Sequence, residues 1–299
     1  MKKLALTFII LCTFILAPAY SFEMSPKSEI KQVLKEYKKA IIKHDTEKIK
    51  SFYDKNYKSA DGFGVDSMAE MLDKTYSTYE NIKYKIKVNS INAYENWALV
   101  QLSDYTTAVV YPVEDKDLKK EKMGKLEGNS VYNLYLTKEN DEWKIIKDEI
   151  LIEETSLKYG VARKTKMHLV TPYDIKNGEQ YDISLKMDKI EDIIALASIS
   201  REEIVYPPSD YNEKFRKIPE VGELERVVRA NDKNLNEYAI ASVGLTKVSF
   251  NQKTNRAKIE ILGLAYLMKR INMNKPIIQE EILVENNWWR IKEPVFFIF

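Results

Sequence analysis

Apolar residues recur at helical spacing near the front of the chain: Ile30, Val33, Leu34, Tyr37 and Ile41 form one stripe, with Lys31, Lys35, Lys38 and Lys39 on solvated positions. Ser25 and Pro26 supply an N-cap and a first-turn proline for this helix. Asp45 reads as the N-cap of a short second helix with Ile49, Phe52 and Tyr53 inward. After the turn-rich residues 59–64, Ser67 and Glu70 match a capping box. A third helix follows, with Met68, Met71, Leu72 and Tyr76 as its apolar stripe.

The period then changes from helix to strand. Ile82, Tyr84, Ile86 and Val88 alternate with polar residues, and strands are predicted at 97–111, 131–137 and 143–152. The polar residues 138–142 join the last two as a hairpin, and the charged residues between Pro112 and Gly128 read as a long exposed loop. Helices followed by a run of antiparallel strands make an α+β domain.

Beyond Lys164 the texture is almost entirely β. Tyr181, Ile183, Leu185 and Met187 alternate; strands are predicted at 193–199, 237–250 and 256–271; and residues 277–284 and 288–297 read as a terminal hairpin. Residues 221–230 suit a short helix or a strand. Turn signals at 176–178 and 251–253, with a proline-rich connection at 206–211, complete a mostly β, sandwich-like domain. The boundary is expected at 158–166, around Gly160, giving domains at 27–157 and 165–299. The pattern Glu139-Asn140-x-x-Trp143-Lys144-Ile145 recurs as Glu285-Asn286-x-x-Trp289-Arg290-Ile291. It reads as two hairpins reusing one solution for a half-buried sheet, because no long helix precedes the second copy's strands.

The start of the chain sets the compartment. Lys2 and Lys3, the apolar residues 4–16 and the small-residue sequence Ala17-Pro18-Ala19 spell a secretory signal peptide, 1–19, cleaved after Ala19. The stretch is too short, and too soon followed by Pro18, Ser21 and Glu23, for a membrane span of about 20 apolar residues. An exported product, periplasmic or secreted, with no transmembrane segment after cleavage is expected. Cleavage removes Cys12, the single cysteine, and so excludes disulfides and thiolate ligands from the mature chain. The 47 Lys and Arg, less Lys2 and Lys3, leave 45 against 45 Asp and Glu, so charge argues against nucleic acid as a partner.

The order of three helices and long strands, with Asp45 after the first helix and the closing Glu142-Trp143-Lys144-Ile145-Ile146, resembles the nuclear transport factor 2-like superfamily over about residues 27–155. The resemblance implies a cone fold: a curved sheet wrapped around the first helix, with a pocket at the open end. Members include ketosteroid isomerases, polyketide cyclases and dehydratases, and also plain binding or dimerisation modules. The fold does not choose among them.

Candidate chemistry is sparse. The two histidines, His44 and His168, lie far apart, and neither a nucleophile-elbow, a dinucleotide-loop nor a Walker motif occurs. His44, at the end of the first helix, is expected to cap its carbonyls. Asp232-x-Asn234-x-Asn236 starts like a calcium loop but has Glu237 where glycine is needed, and reads as a turn. No metal and no cofactor are expected.

What remains is a set of pocket residues. Asp104, in phase with Ala98, Val100 and Leu102, and Asp148, in phase with Ile146 and Ile150, are the candidate acid or base of a cofactor-free isomerase or dehydratase/lyase. Tyr37, Tyr53, Tyr57 and Tyr132 would line the pocket as hydroxyl donors. The favoured function is a non-enzymatic binding protein. Its cone domain takes a small apolar ligand or forms a homodimer through the sheet face bearing Trp97, Leu99 and Tyr105, and its β domain meets an envelope protein.

Overall fold

Helix α1 (Pro26–Lys43) buries Ile30, Leu34, Tyr37 and Ala40, residues one turn apart on a single face. In the computed structural model, which describes residues 25–111, 123–205, 214–219, 222–251 and 256–274, Ser25 occupies the N-cap position without a side-chain bond. At the other end His44 adopts a left-handed conformation, φ 56°, and its backbone N–H, not its imidazole, closes the helix on the carbonyls of Ala40 and Ile41. The expected imidazole cap is therefore corrected: the ring stacks on Tyr76 with centroids 4.4 Å apart.

Asp45 caps α2 (Thr46–Lys50), its carboxylate accepting from Lys48 N–H at 2.9 Å. Helix α3 (Val65–Thr78) starts from an extended Gly64 with no side-chain cap. The Ser67–Glu70 capping box does not form, because the helix begins ahead of it and Ser67 already lies in the first turn.

Four strands follow as neighbours in sequence order: β1 (Glu80–Ala93), β2 (Trp97–Val110), β3 (Gly124–Glu139) and β4 (Glu142–Gly160). Strand β2 buries Ala98, Val100 and Leu102 in strict alternation, and β3 sets Leu136, Leu134 and Tyr132 opposite them. Asn140 and Asp141, at φ 49° and 62°, make the two-residue turn between β3 and β4. The expected loop between Pro112 and Gly128 is shorter than the charge pattern suggests, because β3 already runs from Gly124; residues 112–122 lie outside the described residues. Residues 52–60 run beside β4: Ile145 N–H donates to Phe52 O at 2.8 Å, and Ala60 N–H to Asp148 O at 2.9 Å. The α1 residues Ile30, Leu34 and Tyr37 share one core with Val100, Leu102, Leu134, Leu136, Trp143 and Ile145.

The chain divides into two units, Met1–Glu153 and Glu154–Phe299. The division falls inside β4, ahead of the 158–166 signals, because β4 continues unbroken to Gly160 and residues 154–160 pair with residues 263–269. In the second unit β12 (Arg256–Asn274) and β11 (Glu237–Asn251) form a long antiparallel pair. Strands β8 (Ile194–Glu203) and β9 (Arg216–Lys217) extend it, and β6 (Asp174–Lys176) lies parallel to the end of β12. A second sheet consists of β5 (Met167–Val170), β7 (Gln180–Met187) and β10 (Glu223–Arg229).

Ile183 and Leu185 of this smaller sheet share a core with Ala241, Val243, Leu245, Ala265 and Ile271 of the larger one. Of the ambiguous residues 221–230, 223–229 form a strand: β10 pairs with β7 along its whole length. Among the described residues the chain is thus α+β, with its α-helices at the front and a β-rich body. Among the described residues no helix is long and apolar enough to cross a membrane. The signal peptide with its cleavage point, the 206–211 connection, the terminal hairpin and the second copy of the Glu-Asn-x-x-Trp pattern lie outside the described residues.

Candidate functional site

Six side chains with polar ends meet inside the first unit. Tyr37 comes from the fourth turn of α1, Tyr53 and Tyr57 from the segment after α2, Asp104 and Tyr132 from the inward phases of β2 and β3, and Asp148 from β4. The Tyr37 and Tyr53 hydroxyls are 2.8 Å apart, and the Tyr53 and Tyr57 rings pack edge to face with centroids 4.6 Å apart. Tyr57 hydrogen-bonds Asp148, and Tyr132 lies within the electrostatic reach of Tyr37, Asp104 and Asp148. The tyrosines and aspartates singled out by spacing are therefore one cluster in space.

Asp148 arrives there by a different phase from the expected one. Trp143 and Ile145 are buried, whereas Ile146 is 40% exposed. Glu149 takes the Tyr135 hydroxyl at 2.9 Å, and Lys147 lies 5.4 Å from the Tyr135 ring. Inward residues thus run Trp143, Ile145, Asp148, a slip of one position that no strict alternation produces.

Burial dominates the electrostatics. It raises the Tyr37, Tyr53, Tyr57 and Tyr132 hydroxyls above the ordinary tyrosine range, and Asp148 adds to the effect at each. All four stay protonated at neutral pH, with Tyr37 and Tyr53 bonded to each other and Tyr57 to Asp148. Burial also raises the Asp104 carboxyl, partly offset by hydrogen bonds from Ser130 Oγ at 2.7 Å and Thr106 Oγ1 at 3.2 Å.

A pH prediction follows from Asp104. With its folded pKa above the unfolded one, the native state binds more protons in that interval, so this residue's contribution favours folding at acid pH and is lost as pH rises through the folded pKa. Asp104→Asn is expected to match the wild type in stability below about pH 4 and to exceed it at pH 7. Urea midpoints at the two pH values check this. A variant less stable at pH 7 would mean that the ionised carboxylate stabilises the fold.

The sheet face bearing Trp97, Leu99 and Tyr105 points away from this cluster, and all three residues are half-buried. Trp97 stacks on Tyr94 with centroids 4.1 Å apart, and the Tyr105 hydroxyl donates to Glu127 at 2.8 Å. Polar pairs such as Gln101 with Asn133 interleave the aromatic rings. His168 is exposed on β5. Among the described residues, no group of three or more His, Cys, Asp or Glu side chains could hold a metal.

Sequence spacing missed two anchoring acids. Glu29 accepts from Trp143 Nε1 at 2.7 Å and from Lys138 Nζ, tying α1 to the β3–β4 hairpin, and these bonds hold its carboxyl below the usual range. Glu237, at 0% exposure, accepts from Tyr181, Arg201 and Asn231. Its signal was available: it shares the phase of Ala239, Ala241, Val243 and Leu245, where an acid must be partnered.

No protein-family model matches the chain, and no curated protein matches it. Two solved structures are similar in part. A conserved protein from Planctomyces limnophilus is 13% identical, with 41% of this chain and 92% of that one covered at a TM-score of 0.33. TsrD from Streptomyces laurentii is 11% identical, with 42% and 91% covered at 0.28. At these scores neither likeness bears on the function of this chain.

Proposed function

We propose that this is an exported, non-enzymatic binding protein whose first unit is a nuclear transport factor 2-like cone that holds a small, largely apolar ligand bearing a hydrogen-bond acceptor. The single observation that carries the proposal is the convergence of four protonated tyrosine hydroxyls and two aspartates inside an otherwise apolar core. A few directed donors in an apolar surround select a ligand by its polar end while the core accepts its body. The cone assignment is supported by the three leading helices, the sequential sheet, and the packing of Ile30, Leu34 and Tyr37 of α1 against it. The signal-peptide pattern at residues 1–19 supports a location outside the cytoplasm, where the β-rich second unit would meet an envelope partner. The face carrying Trp97, Leu99 and Tyr105 would serve a homodimer.

A cofactor-free isomerase or dehydratase/lyase is second, favoured by the raised pKa of Asp104. Asp104 accepts from Ser130 on one oxygen and from Thr106 on the other, bonds that favour its ionised form and oppose the raised pKa a general acid or base would use.

Native mass spectrometry of the protein purified from its host's envelope fraction tests this. A bound small molecule, released on denaturation, is expected. Tyr57→Phe and Asp148→Asn should each weaken its binding roughly tenfold, equivalent to about 1.4 kcal/mol, while leaving the fold intact. A protein without bound ligand overturns the proposal. If it also turns over a ketosteroid or hydroxyacyl substrate, with activity abolished by Asp104→Asn, catalysis takes its place.

A further inference from the structure

Four lysines line one groove of the first unit. Lys27, Lys31, Lys35 and Lys38 of α1 face Val88, Asn89, Ser90 and Ile91 of β1 across a space of about 510 Å³, with Leu34 at its base. Leu34 is buried, Val88 and Ile91 are half-buried, and Lys27, Lys31 and Lys35 are exposed. Both acids of α1 are already paired: Glu29 with Lys138 at 3.0 Å, and Glu36 with Lys39 at 3.5 Å. The four groove lysines pair with no carboxylate among the described residues. Like charges three and four residues apart on a helix repel, so this row stands at a cost to the fold that an anion in the groove would offset.

The second wall identifies the form of that anion. Strand β1 is the outermost strand of its sheet, and among the described residues nothing pairs with its free edge. The edge is irregular here, with a bulge between Val88 and Ser90. Lys83, Lys85 and Lys87 are exposed along the strand, which discourages strands of arbitrary sequence while favouring acidic ones. Lys27, Lys31 and Lys35 repeat about every 6 Å along α1, four residues at 1.5 Å each, and Lys38 follows three residues on. Alternate side chains of an extended peptide repeat about every 6.6 Å on one face, so carboxylates on that face can meet the lysines while the intervening side chains point to the opposite face.

We propose that the groove between α1 and β1 binds an extended acidic peptide in which carboxylates alternate with apolar residues. The peptide lies along the β1 edge, and its carboxylates meet Lys27, Lys31, Lys35 and Lys38. The mode combines strand addition at an open edge with charge pairing from a helix. It is independent of the tyrosine cluster, whose residues do not line this groove.

Fluorescence anisotropy with a labelled peptide of about eight alternating glutamates and valines, which supplies a carboxylate for each of the four lysines, tests the site. The whole protein is expected to bind it, to ignore the lysine–valine counterpart, and to lose about tenfold in affinity between low and high salt. Lys31→Glu/Lys35→Glu should lose binding by more than tenfold, and Lys31→Gln/Lys35→Gln by an intermediate factor. The glutamine variant should melt no lower than the wild type, which separates loss of the site from loss of the fold. Absence of binding at millimolar peptide, equal binding by the charge-reversed variant, or tighter binding of long-chain polyphosphate or anionic vesicles at equal charge would each overturn the assignment.

Discussion

Glu237→Ala is expected to cost the second unit about 3–5 kcal/mol, the range for removing one partner from a buried charge pair. Glu237 Oε1 accepts from Asn231 N–H at 3.0 Å, from Asn231 Nδ2 at 2.6 Å and from Arg201, while Oε2 accepts from the buried Tyr181 hydroxyl at 2.9 Å. Alanine strips the acceptor from all of these donors in an interior where water does not replace it. The loss spreads further, because Asn231 Oδ1 holds the following turn through Lys233 N–H at 2.8 Å and Leu235 N–H at 3.2 Å. Glu237→Gln is expected to cost less, about 1–2 kcal/mol: its amide oxygen still serves Asn231 and Arg201, and its NH2 can donate to Tyr181. Urea denaturation followed by tryptophan fluorescence and far-ultraviolet dichroism measures both. If alanine and glutamine lower the midpoint equally, the carboxylate is not the organiser of this core.

Gly160→Ala is expected to destabilise the same unit by about 3 kcal/mol or more, from a strained backbone and a direct clash together. Gly160 has φ 56° and ψ −135°, a combination open in practice to glycine alone. A methyl group there would sit 2.1 Å from the carbonyl oxygen of Leu262, a backbone atom that cannot rotate away. Gly263 lies opposite in the β4–β12 register, and its own methyl would approach Ala162 N at 2.7 Å. Together the two glycines let β4 turn into the 3-10 segment Val161–Lys164 while still touching β12. Gly160→Asn should not rescue the fold, since asparagine tolerates the left-handed helical well and not this ψ. Gly244→Ala is the control: its added methyl meets nothing nearer than 4.0 Å, and a change within about 0.5 kcal/mol is expected. A Gly160→Ala protein melting like the control would place the strain elsewhere.

The difference between what was legible and what was not follows the range of the interactions involved. Asp45 was readable as a cap because its bond reaches only three residues to Lys48. The inward phase of β2 was readable because alternation is enforced residue by residue. By the same alternation Asp104 and Tyr132 could be assigned to the side occupied by Val100 and Leu134. Ser67 misled because a capping box specifies a possible start, while the helix begins where Gly64 extends. Residues 221–230 carried no decisive period; pairing with β7 made them a strand. The charged residues 124–127 looked like loop, and the β2 register made them strand.

Sequence alone determined the local grammar of this chain: three amphipathic helices ahead of a body of strands, and which side of most strands faces inward. Propensity, capping and period act over a few residues, so they leave their mark in the order of amino acids. Tertiary structure decided the rest. It shifted the inward phase of β4 so that Asp148 reaches Tyr57, brought donors from Tyr181, Arg201 and Asn231 to Glu237, and paired Glu154 with Lys269 across more than a hundred residues. Each of these depends on which distant backbone lies alongside, a choice made by the burial of whole sheets and recorded in no single stretch of sequence.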